Sequence, residues 1–463
     1  MSAARLSPRK FSLILADAAI IYGGVILAMY LRLGLDGPPY ELNERNGWLK
    51  IGLVSLVCII NLYFYDLYDY IVMTNRRELL LRMVQALGIA WAFLAFLFYL
   101  APPLMVGRGV SMTAVPLVLV LLLAWRIGIH SLTGHPEIGE KILVVGTGKA
   151  AMDTAEAVWK RRDAGYRIVG FVSENGAKPK QKLGRSEILG KAIDLEEIIR
   201  AENIDRVVIA VRERRGTFPT EALLKMSLAG NVSIEECTSF YERITGKVHI
   251  DMLRPSWLIF AGRQRDTRLK SVFRELIHRG LALIGLVFSL PIAILTAILI
   301  KLTSRGPVFY YQERVGKNGH PFHVIKFRSM NADAEADGKP VWAASNDERT
   351  TFVGKVIRKI RVDEIPQFWN IIKGEMSFVG PRPERPHFVR QLAQEIHYYE
   401  HRHLVAPGLT GWAQVKYPYG ASVDDAIQKL QYDLFYIKNQ SLTLDIVIVF
   451  DTIKTVLFGA GAR

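Results

Sequence analysis

Cysteine is scarce in this chain. Cys58, in an apolar stretch, and Cys237, far away in a polar one, are the two in 463 residues. Two such thiols build neither a disulfide framework nor a metal cluster, and they fit a reducing compartment for the soluble parts. Zinc-finger spacing is missing, as is any long tract of lysine and arginine. Acidic residues are fewer than basic ones, 44 against 59, for a formal charge of +15. A basic surplus without a nucleic-acid motif suits a membrane surface and anionic phosphate substrates, and no nucleic acid is expected as a partner. No Tyr-x-x-x-Lys pair occurs anywhere, which removes the acid/base couple of reductase and sugar-dehydratase chemistry of that type. What the chain has in quantity is apolar residues, half of the total, unevenly spread. Its length allows two or three domains.

Four apolar segments come first, at about 11–31, 51–65, 83–100 and 110–125. Each is near the length that spans a bilayer, the second and fourth only if their flanks join in. The first follows Arg5, Arg9 and Lys10, lacks a small-residue cleavage site and precedes further spans, so it reads as an anchor and not as a signal peptide. Arg76, Arg77 and Arg82 separate the second from the third, whereas the loop after the third carries only Arg108. The positive-inside rule then places the N-terminus, the second loop and everything after Arg126 in the cytoplasm. Asp17, inside the first span, reads as a helix–helix contact or an interfacial residue before a proton path.

A fifth segment, 281–300, is uncharged, with Arg274 and Arg279 before it and Lys301 and Arg305 after. Basic residues on both sides fit a simple crossing poorly, and a crossing would carry the downstream region away from any nucleotide supply. Pro291, shortly after Ser289, falls mid-segment, where its missing N–H and its ring bend a helix. A helix–break–helix over about 279–302 that enters and leaves by one leaflet is expected, with a proline-kinked spanning helix as the alternative.

From Glu140 the pattern alternates between strand and helix. Residues 142–145 form a buried-strand run, followed by Gly146-Thr147-Gly148-Lys149-Ala150-Ala151 and a helical stretch through Trp159. This is the G-x-G-x-x-A form of the dinucleotide fingerprint in its strand–turn–helix setting, and further strands are expected at 168–172 and 206–211. A Rossmann-like parallel sheet follows. Bound NAD does not, because the acidic residue expected after the second strand has only Glu174 as a candidate; a structural or regulatory role is expected.

The stretch Ile357-Arg358-Lys359-Ile360-Arg361-Val362-Asp363-Glu364-Ile365-Pro366-Gln367 puts two adjacent acids behind a basic run and directly before a helix. Pro366 suits a first helical turn and Gly374 a stop. Such a place holds carboxylates ionised, welcomes phosphate and can position a divalent cation. Alone, the pair reads first as an ordinary capped helix start with solvated charges.

Its surroundings decide. In order come Gly306-Pro307-Val308-Phe309, Gln312-Glu313-Arg314-Val315-Gly316, Lys326-Phe327-Arg328-Ser329-Met330, the Asp363-Glu364 region, Gly380-Pro381-Arg382-Pro383 and Pro407-Gly408-Leu409-Thr410-Gly411-Trp412-Ala413-Gln414. Together these closely resemble the bacterial polyprenyl-phosphate sugar-1-phosphate transferases, the large monotopic phosphoglycosyl transferases. The catalytic resemblance runs from about Phe273 to the C-terminus, and the whole layout resembles the exopolysaccharide-associated long form. Weaker family features are Lys416-Tyr417-Pro418-Tyr419-Gly420-Ala421-Ser422 and Pro255-Ser256-Trp257-Leu258-Ile259-Phe260.

The resemblance implies that a UDP-sugar gives its sugar-1-phosphate to polyprenyl (undecaprenyl) phosphate with release of UMP. It implies Asp363 as covalent nucleophile, Glu364 as the acid that helps bind Mg²⁺, and Arg358 as a phosphate-binding arginine. Arg382, flanked by Pro381 and Pro383, is implied as a nucleotide contact, Arg314, Lys326 and Arg328 as substrate-binding or fold-holding charges, and Asp433 as an acid that assists the cation. Splitting the transfer into two displacements lets one carboxylate serve a soluble donor and a lipid acceptor in turn. Two departures stand out: Gly280, Leu281 and Ala282 replace an acidic residue frequent after the basic pair, and the break reads Ser289-Leu290-Pro291 instead of adjacent Ser-Pro.

The expected fold is thus a membrane protein of mixed α and α/β class. Residues 1–135 hold a transmembrane four-helix bundle, 136–265 a Rossmann-like parallel-sheet domain, and 266–463 a mainly α catalytic domain with the re-entrant helix. The expected partners are the donor, the lipid acceptor, the bilayer of a bacterial inner membrane with both soluble domains on its cytoplasmic side, and a second copy in a homodimer. Segment 446–457 reads as an amphipathic helix on the membrane or as a packed core helix. The competing functions are a membrane-anchored nucleotide-sugar dehydratase and a non-enzymatic scaffold or nucleotide-sensing module.

Overall fold

The computed structural model describes residues 8–68, 76–133, 139–161, 165–173, 181–211, 223, 226, 228, 232–253, 268–331, 349–418, 420 and 422–458. Arg5, Glu174, the 255–260 stretch, Tyr419 and Ala421 lie outside the described residues. The chain divides into two units, Arg5–Cys237 and Thr238–Arg463.

The first unit opens with α1 (Pro8–Leu33), the short α2 (Gly37–Asn43), α3 (Gly47–Phe64), α4 (Arg76–Leu100) and α5 (Arg108–Thr133). The four long helices are long and apolar enough to cross a membrane. Flanking residues do join the second and fourth segments, which reach 18 and 26 residues as α3 and α5. Helices suit such segments because every backbone polar group is satisfied internally. Ile21, Val25, Val54, Leu62, Met83, Leu94, Val118 and Leu122 belong to one buried cluster that all four share. Asp17 is a helix–helix contact: it pairs with Arg126 of α5, both side chains are buried, and Arg126 also donates to the Leu67 carbonyl and covers the Tyr68 ring at 4.9 Å.

The rest of this unit is a mostly parallel sheet, in the order β3-β4-β2-β1-β5-β6. Its strands are β1 (Glu140–Val145), β2 (Tyr166–Ser173), β3 (Lys182–Leu183), β4 (Ser186–Lys191), β5 (Arg206–Ile209) and β6 (Ser233–Glu236). Only β3 is antiparallel, on its edge beside β4. Helix α6 (Lys149–Lys160) begins directly after Gly148, and α7 (Leu195–Glu202) precedes β5. The strand–turn–helix around Gly146 is as the fingerprint predicts; Gly146 has φ +120°, which favours glycine.

The second unit contains most of α8 (Cys237–Thr245), then α9 (Arg268–Thr303), the antiparallel pair β7 (Phe309–Val315) and β8 (Pro321–Phe327), α10 (Phe352–Lys359) and α11 (Gln367–Lys373). Next come β9 (Ser377–Val379), α12 (Pro386–Glu395), β10 (Gly408–Thr410) parallel to β9, α13 (Trp412–Lys416), α14 (Val423–Lys438) and α15 (Leu442–Phe458). The expected interruption in the fifth segment is not a gap in the helix. α9 is one 36-residue helix with Pro291 inside it, and the Ser289 hydroxyl donates to the Leu286 carbonyl at 3.2 Å. Proline removes one hydrogen bond and its ring crowds the preceding turn, yet α9 is helical on both sides of Pro291.

Both ends of α9's apolar stretch pack on neighbouring elements of this unit. Ala282 is buried with Phe322, Val324, Ile371 and Met376; Ile300 is buried with Phe327, Val353 and Ile357. Between them Val287, Phe288, Leu290 and Ile294 are exposed. Helix α15 packs through one face, with Leu444, Ile448 and Asp451 buried, while Ile446, Phe450, Ile453 and Val456 present an exposed apolar face.

Candidate active site

The two acids sit where α10 ends and α11 begins. Thr351 caps α10, its hydroxyl accepting from Gly354 N at 2.9 Å. Arg361 then takes φ +59°, a left-handed conformation that reverses the chain and costs a non-glycine residue about 1–2 kcal/mol. A 3₁₀ turn, Val362–Glu364, follows at once, and Pro366 leads into α11. Gly374, at φ +85°, ends that helix as expected. Asn370 ties α11 to β8: its amide oxygen accepts from Ile325 N at 3.1 Å and its Nδ2 donates to His323 O at 2.7 Å. This brings Lys326 of β8 to Glu364.

Three cations converge on one oxygen of Glu364. Lys326 Nζ lies 3.0 Å from Oε1, Arg382 Nη2 2.9 Å and Arg361 Nη1 3.7 Å. Burial pushes this carboxyl up, but Lys326, Arg382 and Arg361 together overcome it and hold it well below the usual carboxylate range. Burial in turn pulls the Lys326 ammonium down, with Glu364 opposing.

Asp363, one residue earlier, is buried as well, yet its Oδ1 has no hydrogen-bond partner. Burial raises its carboxyl; Lys326 pulls it down, Glu364 raises it further, and Arg361 and Arg358 pull down, leaving it above the ordinary value. Arg358 reaches this neighbourhood while held by the Ser329 hydroxyl at 2.8 Å and Thr350 Oγ1 at 3.4 Å.

Arg382 is held through its backbone. The three consecutive carbonyls of Pro381, Arg382 and Pro383 accept from Gly408 N at 2.9 Å, Arg402 Nη2 at 3.1 Å and Arg314 Nη1 at 2.8 Å. A Cβ on Gly408 would meet Gly380 N at 2.1 Å, so the Gly380–Pro383 and Pro407–Gly411 motifs touch backbone to backbone. Arg402 itself is buried and paired with Asp433 at 2.8 Å, and it donates to Tyr399 OH at 2.7 Å. Burial raises the Asp433 carboxyl to about 6 even with Arg402 beside it.

The structure thus gathers Asp363, Glu364, Lys326, Arg382 and Arg358. Arg314 lines a small cavity with Lys326, Arg382, Pro383, Gln367, Val324 and Gly408, although its guanidinium is also bonded to Gln312 and faces Glu384 at 3.6 Å. Burial lowers the Arg314 guanidinium to about 10, against the pull of Glu384. Arg328 is placed elsewhere: it donates to the Arg305 and Ser304 carbonyls at 2.9 and 3.0 Å, at the end of α9. Asp433, expected beside a cation, pairs with Arg402. Ser289 and Pro291 stay on α9.

Sequence reasoning missed Arg402, whose His-Arg-His context looks like surface charge, and Gln367, whose signal is its position four residues after Asp363. Among the described residues no group of three or more His, Cys, Asp or Glu gathers for a metal. Magnesium needs fewer protein ligands, because it keeps water and substrate phosphate oxygens as partners. The unpartnered Asp363 Oδ1 beside Glu364, all of whose ion pairs fall on Oε1, fits that requirement.

Residues 269–459 match the family model described as Bacterial sugar transferase, and residues 64–216 the one described as CoA-binding domain. A UDP-N-acetylgalactosamine-undecaprenyl-phosphate N-acetylgalactosaminephosphotransferase of Aeromonas hydrophila is 42% identical over 267 residues, 57% of this chain and 61% of that protein. An undecaprenyl-phosphate glucose phosphotransferase of Komagataeibacter xylinus is 31% identical over 405 residues, 79% of this chain and 72% of that protein. A UDP-glucose:undecaprenyl-phosphate glucose-1-phosphate transferase of Klebsiella pneumoniae is 40% identical over 325 residues, 68% of this chain and 67% of that protein. With its acids, cations and proline-framed arginine in one place, the chain belongs to the bacterial sugar transferases, the polyprenyl-phosphate sugar-1-phosphate transferase family, and is a phosphoglycosyl transferase.

Proposed function

We propose that this chain transfers the sugar-1-phosphate of a UDP-hexose to polyprenyl phosphate by two displacements at Asp363. In the first, a carboxylate oxygen of Asp363 attacks the sugar-bearing phosphorus and forms an acyl-phosphate. The bond from that phosphorus to the UMP oxygen breaks, and its electron pair leaves with UMP. In the second, an oxygen of the lipid phosphate attacks the same phosphorus and the aspartyl–phosphorus bond breaks. The carboxylate is restored, and polyprenyl-diphospho-sugar stays in the membrane. Neither displacement needs a proton, so the site does without a histidine base.

One observation carries the assignment: two adjacent acids lie in opposite electrostatic states. Environments that separate the titration of neighbouring groups separate their roles. Glu364 is neutralised by Lys326, Arg382 and Arg361, so it anchors the cations that offset diphosphate charge. Asp363 has a buried oxygen without a partner and a carboxyl raised by burial, as suits a desolvated nucleophile. Asp363 and Glu364 would hold a magnesium ion, which supplies charge neutralisation on the diphosphate when bound.

The membrane placement follows from α9. Positions 282 and 300, about 27 Å apart at helical rise, both pack on β8, the first also on α11 and the second on α10, and Val287, Phe288, Leu290 and Ile294 between them are exposed. A helix that crossed a bilayer would not keep both ends on one domain, which supports the reading that α9 bends at Pro291 and enters and returns by one leaflet. The outward apolar face of α15 rests on that same surface. With the arginine-rich second loop, this supports a catalytic unit on the cytoplasmic face of a bacterial inner membrane, where UDP-sugars are supplied. The test is incubation with UDP-hexoses, Mg²⁺ and undecaprenyl phosphate. UMP and a lipid-linked diphospho-sugar are expected from at least one donor; no UMP from any of them refutes the activity.

A further inference from the structure

The small cavity beside the two acids contains one polar group that the two displacements leave unused. Gln367, the first residue of α11, is 4% exposed, and its Nε2 has no hydrogen-bond partner. The side chain lines the cavity together with Arg314, Lys326 and Arg382. Those cations are engaged: Lys326 and Arg382 with Glu364, Arg314 with Gln312 and the Pro383 carbonyl. The amide N–H of Gln367 is therefore a buried donor waiting for an acceptor. A methionine of similar volume would fill the space without that cost.

Its position says which acceptor. From Val362 the chain coils continuously: Ile365 N bonds to Val362 O, and Phe368 N to Ile365 O, at 3.2 and 3.1 Å. In a coil held by such three-residue bonds, residues three apart share a face. Gln367 follows Glu364 by three, so its side chain lies on the face of that carboxylate, next to Asp363 in the chain. An acceptor that reaches a cavity lined by three cations is an anionic oxygen.

We propose that Gln367 contacts the substrate, its Nε2 donating to a non-bridging oxygen of the phosphoryl group that Asp363 attacks. This rests on the two-displacement function above. The amide is neutral, so it adds a directed donor without the charge that would hold UMP back after the first displacement. The hydrogen bond accompanies the phosphoryl group through both displacements and is lost only with the finished lipid product.

The test uses the full-length protein in nanodiscs, with UMP release followed after rapid mixing with donor alone. In Gln367→Met the burst slows about 100-fold, the size of effect seen when one preorganised donor to a developing anion is removed. Affinity for UMP, which lacks the transferred phosphoryl group, stays within about twofold, a small change beside any real contact energy. A burst at the wild-type rate overturns the proposal. So does a loss of UMP affinity parallel to the loss of rate, which assigns the amide to the nucleotide or to the fold. Gln367→Glu keeps the shape and offers only oxygen, so it slows the burst at least as much; should the methionine variant not fold, a wild-type burst in the glutamate variant overturns the proposal alone. The failures are separable. A wild type that releases no UMP removes the two-displacement function and this contact with it, whereas release by the wild type and both variants alike removes only the contact.

Discussion

Arg382 Nη2 lies 2.9 Å from Glu364 Oε1, and Arg382 reaches it from a backbone whose neighbouring carbonyls are each held by a different segment. Glu364 is thus the hub on which the strand β8, the Pro-Arg-Pro turn and the α10–α11 corner meet. Removing its charge leaves Lys326 and Arg382 facing each other. Glu364→Gln is expected to lower stability by roughly 2 kcal/mol, less than for a fully buried pair because the Arg382 side chain is 35% exposed. Thermal melting in nanodiscs checks this; an unchanged Tm would mean that the three cations are balanced from elsewhere.

Asp363 gives a pH dependence of definite sign. It must be ionised to attack, and its carboxyl lies above the ordinary 3.8, chiefly through burial. The UMP burst therefore falls as pH drops and Asp363 takes up a proton, with Glu364 still ionised. The apparent value belongs to the coupled pair. For stability the sign is opposite to that of a paired acid. A raised carboxyl contributes stability that is complete below the unfolded value and is lost as pH rises through the folded one. At neutral pH Asp363→Asn should thus melt above the wild type while losing turnover. A lower Tm would contradict the unpartnered burial of this side chain.

Asp433 and Arg402 act at one remove. Arg402 holds the Arg382 carbonyl, and Asp433 holds Arg402 at 2.8 Å. Asp433→Asn should slow turnover through a loosened Arg382 and leave the Mg²⁺ concentration for half-maximal rate unchanged. A shift of that concentration by about tenfold, 1.4 kcal/mol of cation affinity, would make Asp433 a cation ligand instead.

Gly285 couples the membrane helix to the site. A Cβ there would meet the Phe368 ring at 2.9–3.3 Å, and Phe368 stacks on Phe378 at 6.1 Å. Gly285→Leu should push α11 away from α9, costing about 1–3 kcal/mol of stability by overpacking and lowering kcat. Wild-type kcat with a normal Tm would show that α11 does not depend on this contact.

Much of this was legible in the sequence because local chemistry governs it. The apolar spans, the strand–Gly146–helix unit and the Gly374 stop each depend on residues adjacent in the chain. The partners of Glu364 were named from their motifs, but their meeting on one oxygen depends on β8 pairing with β7 and on Asn370 tying α11 to β8, contacts across some 40 residues. Arg402 was missed for the same reason: its partners, Arg382 and Asp433, are 20 and 31 residues away. Arg328 shows the converse, a motif arginine whose guanidinium is taken up by the end of α9. Which of two adjacent acids is neutralised is a tertiary property, and no spacing rule reports it.

The most direct test is the covalent step. Wild-type protein incubated with a productive UDP-hexose and Mg²⁺, without lipid acceptor, should release about one UMP per active site and gain the mass of one hexose phosphate, on the peptide that contains Asp363. Adding undecaprenyl phosphate should discharge the adduct, and Asp363→Asn should form none. UMP release that occurs only when the lipid is present, with no adduct at any time, would contradict a nucleophilic Asp363 and indicate direct transfer.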